Sequence, residues 1–144
     1  MSAQLDIKLE SEDKEVFTVP FHVISQSRTI CYLIQTLVPN DQDIPIPLVY
    51  ISAFTFEKVL EWCHQHVGDP QGPVELSTWD RDFIRTDKFI LIDVLLAAIW
   101  LDISALVDTC CKGFADGPHD PNLYMCLPRH IVEQIEKERN QKSE

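Results

Sequence analysis

From Ile90 to Ile99 the only polar residue is Asp93, and Trp100 and Leu101 prolong the apolar run. A helix with this composition has almost no face to turn toward water, so the rest of the chain must cover it on most sides. Its longest uninterrupted piece, Val94 to Leu101, is less than half of a membrane span. The segment therefore predicts a buried central helix around which the other elements assemble. Hydrophobic residues make up 45% of the 144 positions, which supplies the cover.

The elements ahead of that helix are of mixed type. Leu5, Ile7 and Leu9 alternate with Asp6 and Lys8, the pattern of a half-buried strand. Glu12-Asp13-Lys14 reads as a polar turn, and Val16 to Val19 as the returning strand of a hairpin ended by Pro20. Helical spacing follows from about Val23 to Val38, with Ser27 as a cap and Pro39-Asn40-Asp41 as the stop. Pro45-Ile46-Pro47-Leu48-Val49 is predicted as an extended edge segment, because two prolines exclude a helix interior. Ser52 caps a predicted helix over Ala53 to His66, with Phe56, Val59, Leu60 and Cys63 inward. Gly68 to Pro73 is a loop.

Beyond it only helices are predicted. A short one starts at Asp80 and turns Phe83 and Ile84 inward. After the apolar helix, Asp102 is expected to cap one from about Ile103 to Ala115, striped by Leu106, Val107, Cys110, Cys111 and Phe114. Gly117 to Pro121 breaks the chain, and Pro128 opens a charged last helix to about Asn140 whose apolar stripe is Ile131, Val132 and Ile135. There Glu133 and Lys137 form an i,i+4 pair. The order predicts an α+β fold: a domain over residues 1–102 and a helical extension over residues 103–144.

The 23 carboxylates against 12 lysines and arginines give a formal charge of −11, which argues against nucleic acid and against anionic membranes as partners. Such a charge suits basic protein partners, and it also simply keeps a chain soluble. The five cysteines form no C-x-x-C pair, and Met1 to Gln4 does not read as a secretory signal. Free core thiols in a cytoplasmic and/or nuclear protein are expected.

Chemistry is sparse. Cys63, His64 and His66 are one and two positions apart on one helix, so they point in different directions and do not close a tetrahedron. The bland alternative is a buried Cys63 beside two surface imidazoles. No oxyanion-hole, phosphate-cradling or dinucleotide signature occurs, and the chain has only four glycines. No cofactor, metal or catalysis is expected. Of the three tryptophans, Trp100 stands out, because Ile99 and Trp100 together put more apolar bulk at a helix end than packing there requires.

Several segments resemble one family in a consistent order. Ile7-Lys8-Leu9-x-Ser11, Pro45-x-Pro47-Leu48, Lys58-Val59-x-x-Trp62-Cys63 and Trp79-Asp80-x-x-Phe83 are similar to motifs of the S-phase-kinase-associated protein family. Leu96 to Ile103 resembles its L-A-A-N-Y-L-D-I signature, and Leu106-x-Asp108 and Cys111-Lys112 continue it. The resemblance implies a BTB/POZ-like domain and a non-enzymatic adaptor bridging a cullin amino-terminal region and F-box proteins in a ubiquitin ligase. It places cullin contact at the Asn-Tyr positions, here Ile99 and Trp100. It places F-box contact on the late helices, with Ile92, Leu95, Val107, Cys111, Phe114, Ile131 and Ile135 as candidates. The tail departs from the family: Gly117 to Cys126 replaces its G-K-T-x-E-E-I-R motif, and similarity resumes at Gln134-Ile135-x-Lys137-Glu138. A shortened F-box side leaves Cys111 and Phe114 without their usual cover, which makes a self-associating BTB-type module the alternative.

Overall fold

The computed structural model of the protein describes residues 5–36, 44–69 and 75–142. The hairpin forms as its alternation predicts. Strand β1 (Asp6–Glu10) pairs antiparallel with β2 (Val16–Pro20) in the register Ile7 to Val19 and Leu9 to Phe17. Ile7, Leu9 and Val19 turn into the core. The polar turn between them is tied to buried Ser11, whose Oγ accepts from the Glu15 N–H at 3.0 Å.

The expected single helix from Val23 is two. Helix α1 (Phe21–Ile24) ends before Ser25, and α2 (Arg28–Thr36) begins after Ser27. Ser27 does cap, accepting from the Ile30 N–H at 3.1 Å. The break lets Gln26 reach across, donating to the Cys63 carbonyl at 2.7 Å. The predicted stop at Pro39-Asn40-Asp41, and Pro70 to Pro73 of the later loop, lie outside the described residues.

The Pro-x-Pro segment is an edge strand as expected. Strand β3 (Ile46–Pro47) runs parallel to β1, giving the order β2-β1-β3. Pro47 sits where no ladder donor is needed. Helix α3 (Ala53–Gln65) starts at Ser52, which accepts from the Thr55 N–H at 3.2 Å. Asp13 reaches over from the hairpin turn and takes the otherwise orphaned Ala53 N–H at 2.8 Å. Phe56, Val59 and Cys63 are buried as predicted, and Leu60 is partly buried.

Helix α4 (Thr78–Ile84) begins at Thr78, ahead of the expected start at Asp80. Ser77 is its cap, and Asp80 supplies the reciprocal half of a capping box. The apolar segment becomes α5 (Lys88–Leu101), which buries Leu91, Ile92, Val94, Leu95, Ala97, Ala98 and Leu101. Asp102 closes this helix instead of opening the next. It adopts the left-handed conformation (φ 54°, ψ 53°) and donates its N–H to Ala98 and Ile99. Asp tolerates that conformation better than the apolar residues around it.

Helix α6 (Ser104–Asp116) therefore starts at Ile103 without a side-chain cap. The short α7 (Pro121–Tyr124) and α8 (Arg129–Lys142) follow, with Pro128 just ahead of α8. On α8, Glu133 pairs with Arg129 at 3.3 Å. Helix α6 packs between α5 and α8, and one cluster of buried side chains runs from the sheet through α3 and α5 to Ile131 and Ile135. The core thus continues through the Asp102 turn.

Candidate protein-interaction site

The carboxyl end of α5 is clamped by the amino end of α2. Thr29 Oγ1 donates to the Trp100 carbonyl at 2.7 Å and Ser27 Oγ to the Leu101 carbonyl at 2.6 Å. These bonds satisfy carbonyls that a helix end leaves open. The Trp100 backbone is fixed, while its side chain and that of Ile99 remain only partly buried.

Trp100 lines a groove of about 440 Å³ together with Leu96 and Ala97 of α5 and the Val49-to-Ser52 segment that enters α3. Tyr50 stands at its lip, 87% exposed, with a left-handed backbone (φ 62°). Glu12 and Asp93 also border it. Partial burial pushes the Asp93 carboxyl above its ordinary value. Asp93 was visible in the sequence as the lone polar residue of the apolar helix. Nothing in the sequence distinguished Tyr50, because its position depends on how β3 hands the chain to α3.

The late-helix candidates have a different environment. Ile92, Leu95, Cys111, Phe114, Ile131 and Ile135 are all buried, and among the seven only Val107 is partly exposed. They share one core, in which α8 lies over α6. Polar contacts hold α8 down: Gln134 donates to Asp108 at 2.7 Å, and Lys112 meets Glu138 at 3.0 Å. Arg139 donates to the carbonyls of Gly117 (2.6 Å) and Phe114 (3.1 Å) and to the Tyr124 hydroxyl (3.1 Å). Cys111 and Phe114 are therefore covered, contrary to the expectation from the shortened tail.

A second feature escaped the sequence reading. His66 is not a surface imidazole. Its Nε2 lies 2.7 Å from Oδ1 of buried Asp80, and its Nδ1 meets the Asp69 carboxylate. The Trp62 indole stacks on the ring at 4.2 Å and Trp79 meets it edge-on. This cluster joins the end of α3 to the start of α4. No group of three or more His, Cys, Asp or Glu side chains among the described residues is placed to hold a metal ion. No helix among them is long and apolar enough to cross a membrane.

An interaction protein fits these features, and so do the known proteins it resembles. Residues 6–68 match the model of the Skp1 family, tetramerisation domain. A Skp1-related protein of Caenorhabditis elegans is 34% identical over 125 residues, covering 77% of this chain and 71% of the relative. An E3 ubiquitin ligase complex SCF subunit, sconC, of Talaromyces marneffei is 36% identical over 126 residues, covering 81% and 76%. The sconC subunit of Talaromyces stipitatus is similar to the same extent.

Proposed function

This chain belongs to the Skp1 family, and from that premise we propose that it is a non-catalytic adaptor of an SCF-type ubiquitin ligase, bridging a cullin scaffold and F-box substrate receptors. The observation that carries the reading is the similarity across most of the chain to relatives named as SCF subunits. Two separate surfaces support it. The α5 end with Ile99 and Trp100 is the cullin side, held rigid by Ser27 and Thr29. The α6–α8 region is the F-box side, where Val107 and Val132 are partly open. A partner that uses Cys111, Phe114, Ile131 or Ile135 must lift α8 or replace it, since all four are buried. The thiols are free, which suits action in the cytoplasm and/or nucleus.

Self-association through Cys111 and Phe114 loses its motive, because α8 already covers them. The test of the adaptor is co-elution of the full chain with a cullin amino-terminal domain and an F-box protein. Trp100→Ala should lose the cullin and keep the F-box protein, and Val107→Asp should do the reverse. Failure to bind any of a panel of F-box proteins would remove the two-sided form of the proposal.

A further inference from the structure

The edge of the sheet away from β3 is open. Backbone bonds run from the Phe21 N–H to the Leu5 carbonyl (2.7 Å) and from the Ser11 N–H to the Glu15 carbonyl (2.9 Å). Antiparallel ladders alternate, so in the register of the hairpin Ile7 bonds to Val19 and Leu9 to Phe17, while Val16, Thr18 and Pro20 turn their backbone groups outward. Strand β2 ends the order β2-β1-β3, and the outward N–H groups of Val16 and Thr18 meet no acceptor among the described residues. Edge strands are ordinarily blunted by a lysine, an inward charge, a proline or a bulge. From Val16 to Val19 the strand has none of these, and its pairing with β1 is regular throughout. Its one proline, Pro20, closes it. Val16 is 49% exposed, and Thr18 is exposed as well.

The strand is also complementary to its own reverse. We propose that β2 pairs antiparallel with β2 of a second copy of this chain, about a two-fold axis at Thr18. In that register each Thr18 N–H donates to the partner's Thr18 carbonyl, and each Val16 N–H donates to the partner's Pro20 carbonyl. Pro20 has no N–H to return, so the Val16 carbonyl stays with water. The side chains match in the same register. Val16 lies beside the partner's Pro20 and Thr18 beside the partner's Thr18. Phe17, which already meets Phe56 edge-on at 5.0 Å, lies beside the partner's Val19. Aromatic–β-branched and Thr–Thr pairs are among those that stabilise antiparallel strands. No charged residue lies in β2, so the formal −11 of each chain opposes the dimer only from a distance. The pairing uses the same edge on both copies and so stops at two. It is separate from the α6–α8 surface, where Cys111 and Phe114 are covered, and from the Val49-to-Ser52 segment, which follows β3 at the other edge. A dimer of this kind carries two copies of each surface that the adaptor reading uses.

Sedimentation of the full chain over a concentration series, at low and high salt, tests the dimer. One strand pair is a small interface, so association should set in at roughly 100 μM and raise the mass from 16.6 kDa toward twice that value. Higher salt should move the onset to lower concentration, because it screens two acidic chains from each other. Amide exchange at Val16 and Thr18 should slow as concentration rises, with Ile7 and Leu9 unchanged. Thr18→Lys sets like charges opposite each other at the axis and should stay monomeric to at least roughly tenfold above the wild-type onset, and so should Thr18→Glu. An equimolar mixture of the two variants should associate again, since unlike charges then face each other. Urea midpoints like that of wild type show that both variants are folded, and the exchange measurement on wild type needs no variant at all. A wild type that is monomeric at about 1 mM overturns the proposal, and so does a dimer in which Val16 and Thr18 exchange as fast as in the monomer. Dimers that persist in Thr18→Lys alone place the contact elsewhere and overturn it too. Failure of the mixture to associate removes the two-fold register at Thr18.

Discussion

The buried hydroxyl of Ser27 donates to the carbonyl of Leu101 at 2.6 Å, joining positions 74 residues apart. The same oxygen accepts the Ile30 N–H at 3.1 Å, so one atom caps the start of α2 and the end of α5. Next to it the Arg28 N–H reaches the Asp102 carbonyl at 3.4 Å. The two helices are locked at the point where Trp100 leaves the core.

Ser27→Ala removes both bonds and strands the Leu101 carbonyl in an apolar setting. We expect a loss of about 1–3 kcal/mol, read from urea denaturation midpoints at constant m-value. Cullin affinity should fall as well, because of the two side-chain bonds that clamp the end of α5 only the one from Thr29 to the Trp100 carbonyl remains. A variant as stable as wild type would mean that the clamp has no net energetic weight.

His66→Ala should be a stability variant without a change of surface. It removes the partner of Asp80, which is 1% exposed, together with the stacked contact to Trp62. Asp80 keeps Ser77, so the expected cost is roughly 2–4 kcal/mol and not a complete loss of folding. Asp80→Asn, which keeps an acceptor for the imidazole, should cost less. The reverse ranking in equilibrium unfolding would show that Asp80 acts through the Ser77 capping box alone.

Asp13 links the hairpin turn to α3. Hydrogen bonds from Ser11 first, and then from the Ala53 N–H, hold its carboxyl below its ordinary value. A depressed folded-state pKa adds stability that is present above the unfolded pKa and is lost as pH falls through the folded one. Asp13→Ala should therefore be less stable than wild type near neutrality, with the gap closing in acid. A gap that is constant with pH would assign the effect to lost packing instead.

The strands, the Ser52 cap and the buried α5 were legible because each depends on near neighbours: a period of two, a hydroxyl before a helical stripe, an unbroken apolar run. What the residues concealed depends on distant partners. Asp102 reads as an amino-terminal cap, since Asp favours that role, but the junction requires a left-handed residue and Asp fills that need. The Ser25-to-Ser27 break is fixed by Gln26 on Cys63 and Ser27 on Leu101, neither of them local. The stripes of α6 and α8 announce that each helix needs cover. Spacing alone does not say that they cover each other, and so Cys111 and Phe114 looked available. The resemblance named Ile99 and Trp100, but the groove around Trp100 depends on Tyr50, about a third of the chain away.

Thiol reactivity should follow burial. Burial pushes the Cys63 thiol up to about 12, and Cys111 likewise to about 12 with Asp108 and Glu138 adding to it. Cys110 is raised further by burial and by Cys111. The thiolate is the reacting form, so these three should resist alkylation in the native protein. Exposed Cys126 should react first and the partly buried Cys31 more slowly, with the remainder released only by denaturant. Mass spectrometry of the adducts checks the order, and early labelling of Cys63 would contradict it.

Cys111 also reports on α8. Ile135 is fully buried on that helix, and Glu138 is close enough to act on the Cys111 thiol. Ile135→Ala leaves a cavity between α6 and α8 and should cost about 2–4 kcal/mol. The polar contacts of Gln134, Glu138 and Arg139 lie along one helix, so their loss on opening is shared and α8 should detach as a unit before the sheet and α5 unfold. Expected readouts are faster labelling of Cys111, faster amide exchange confined to residues 129–142, and unchanged protection of α5. Since Phe114 and Ile131 are uncovered by the same motion, the variant should also bind an F-box protein more tightly if those side chains are its contacts. Unchanged Cys111 labelling together with lower global stability would show that α8 opens only when the whole molecule does.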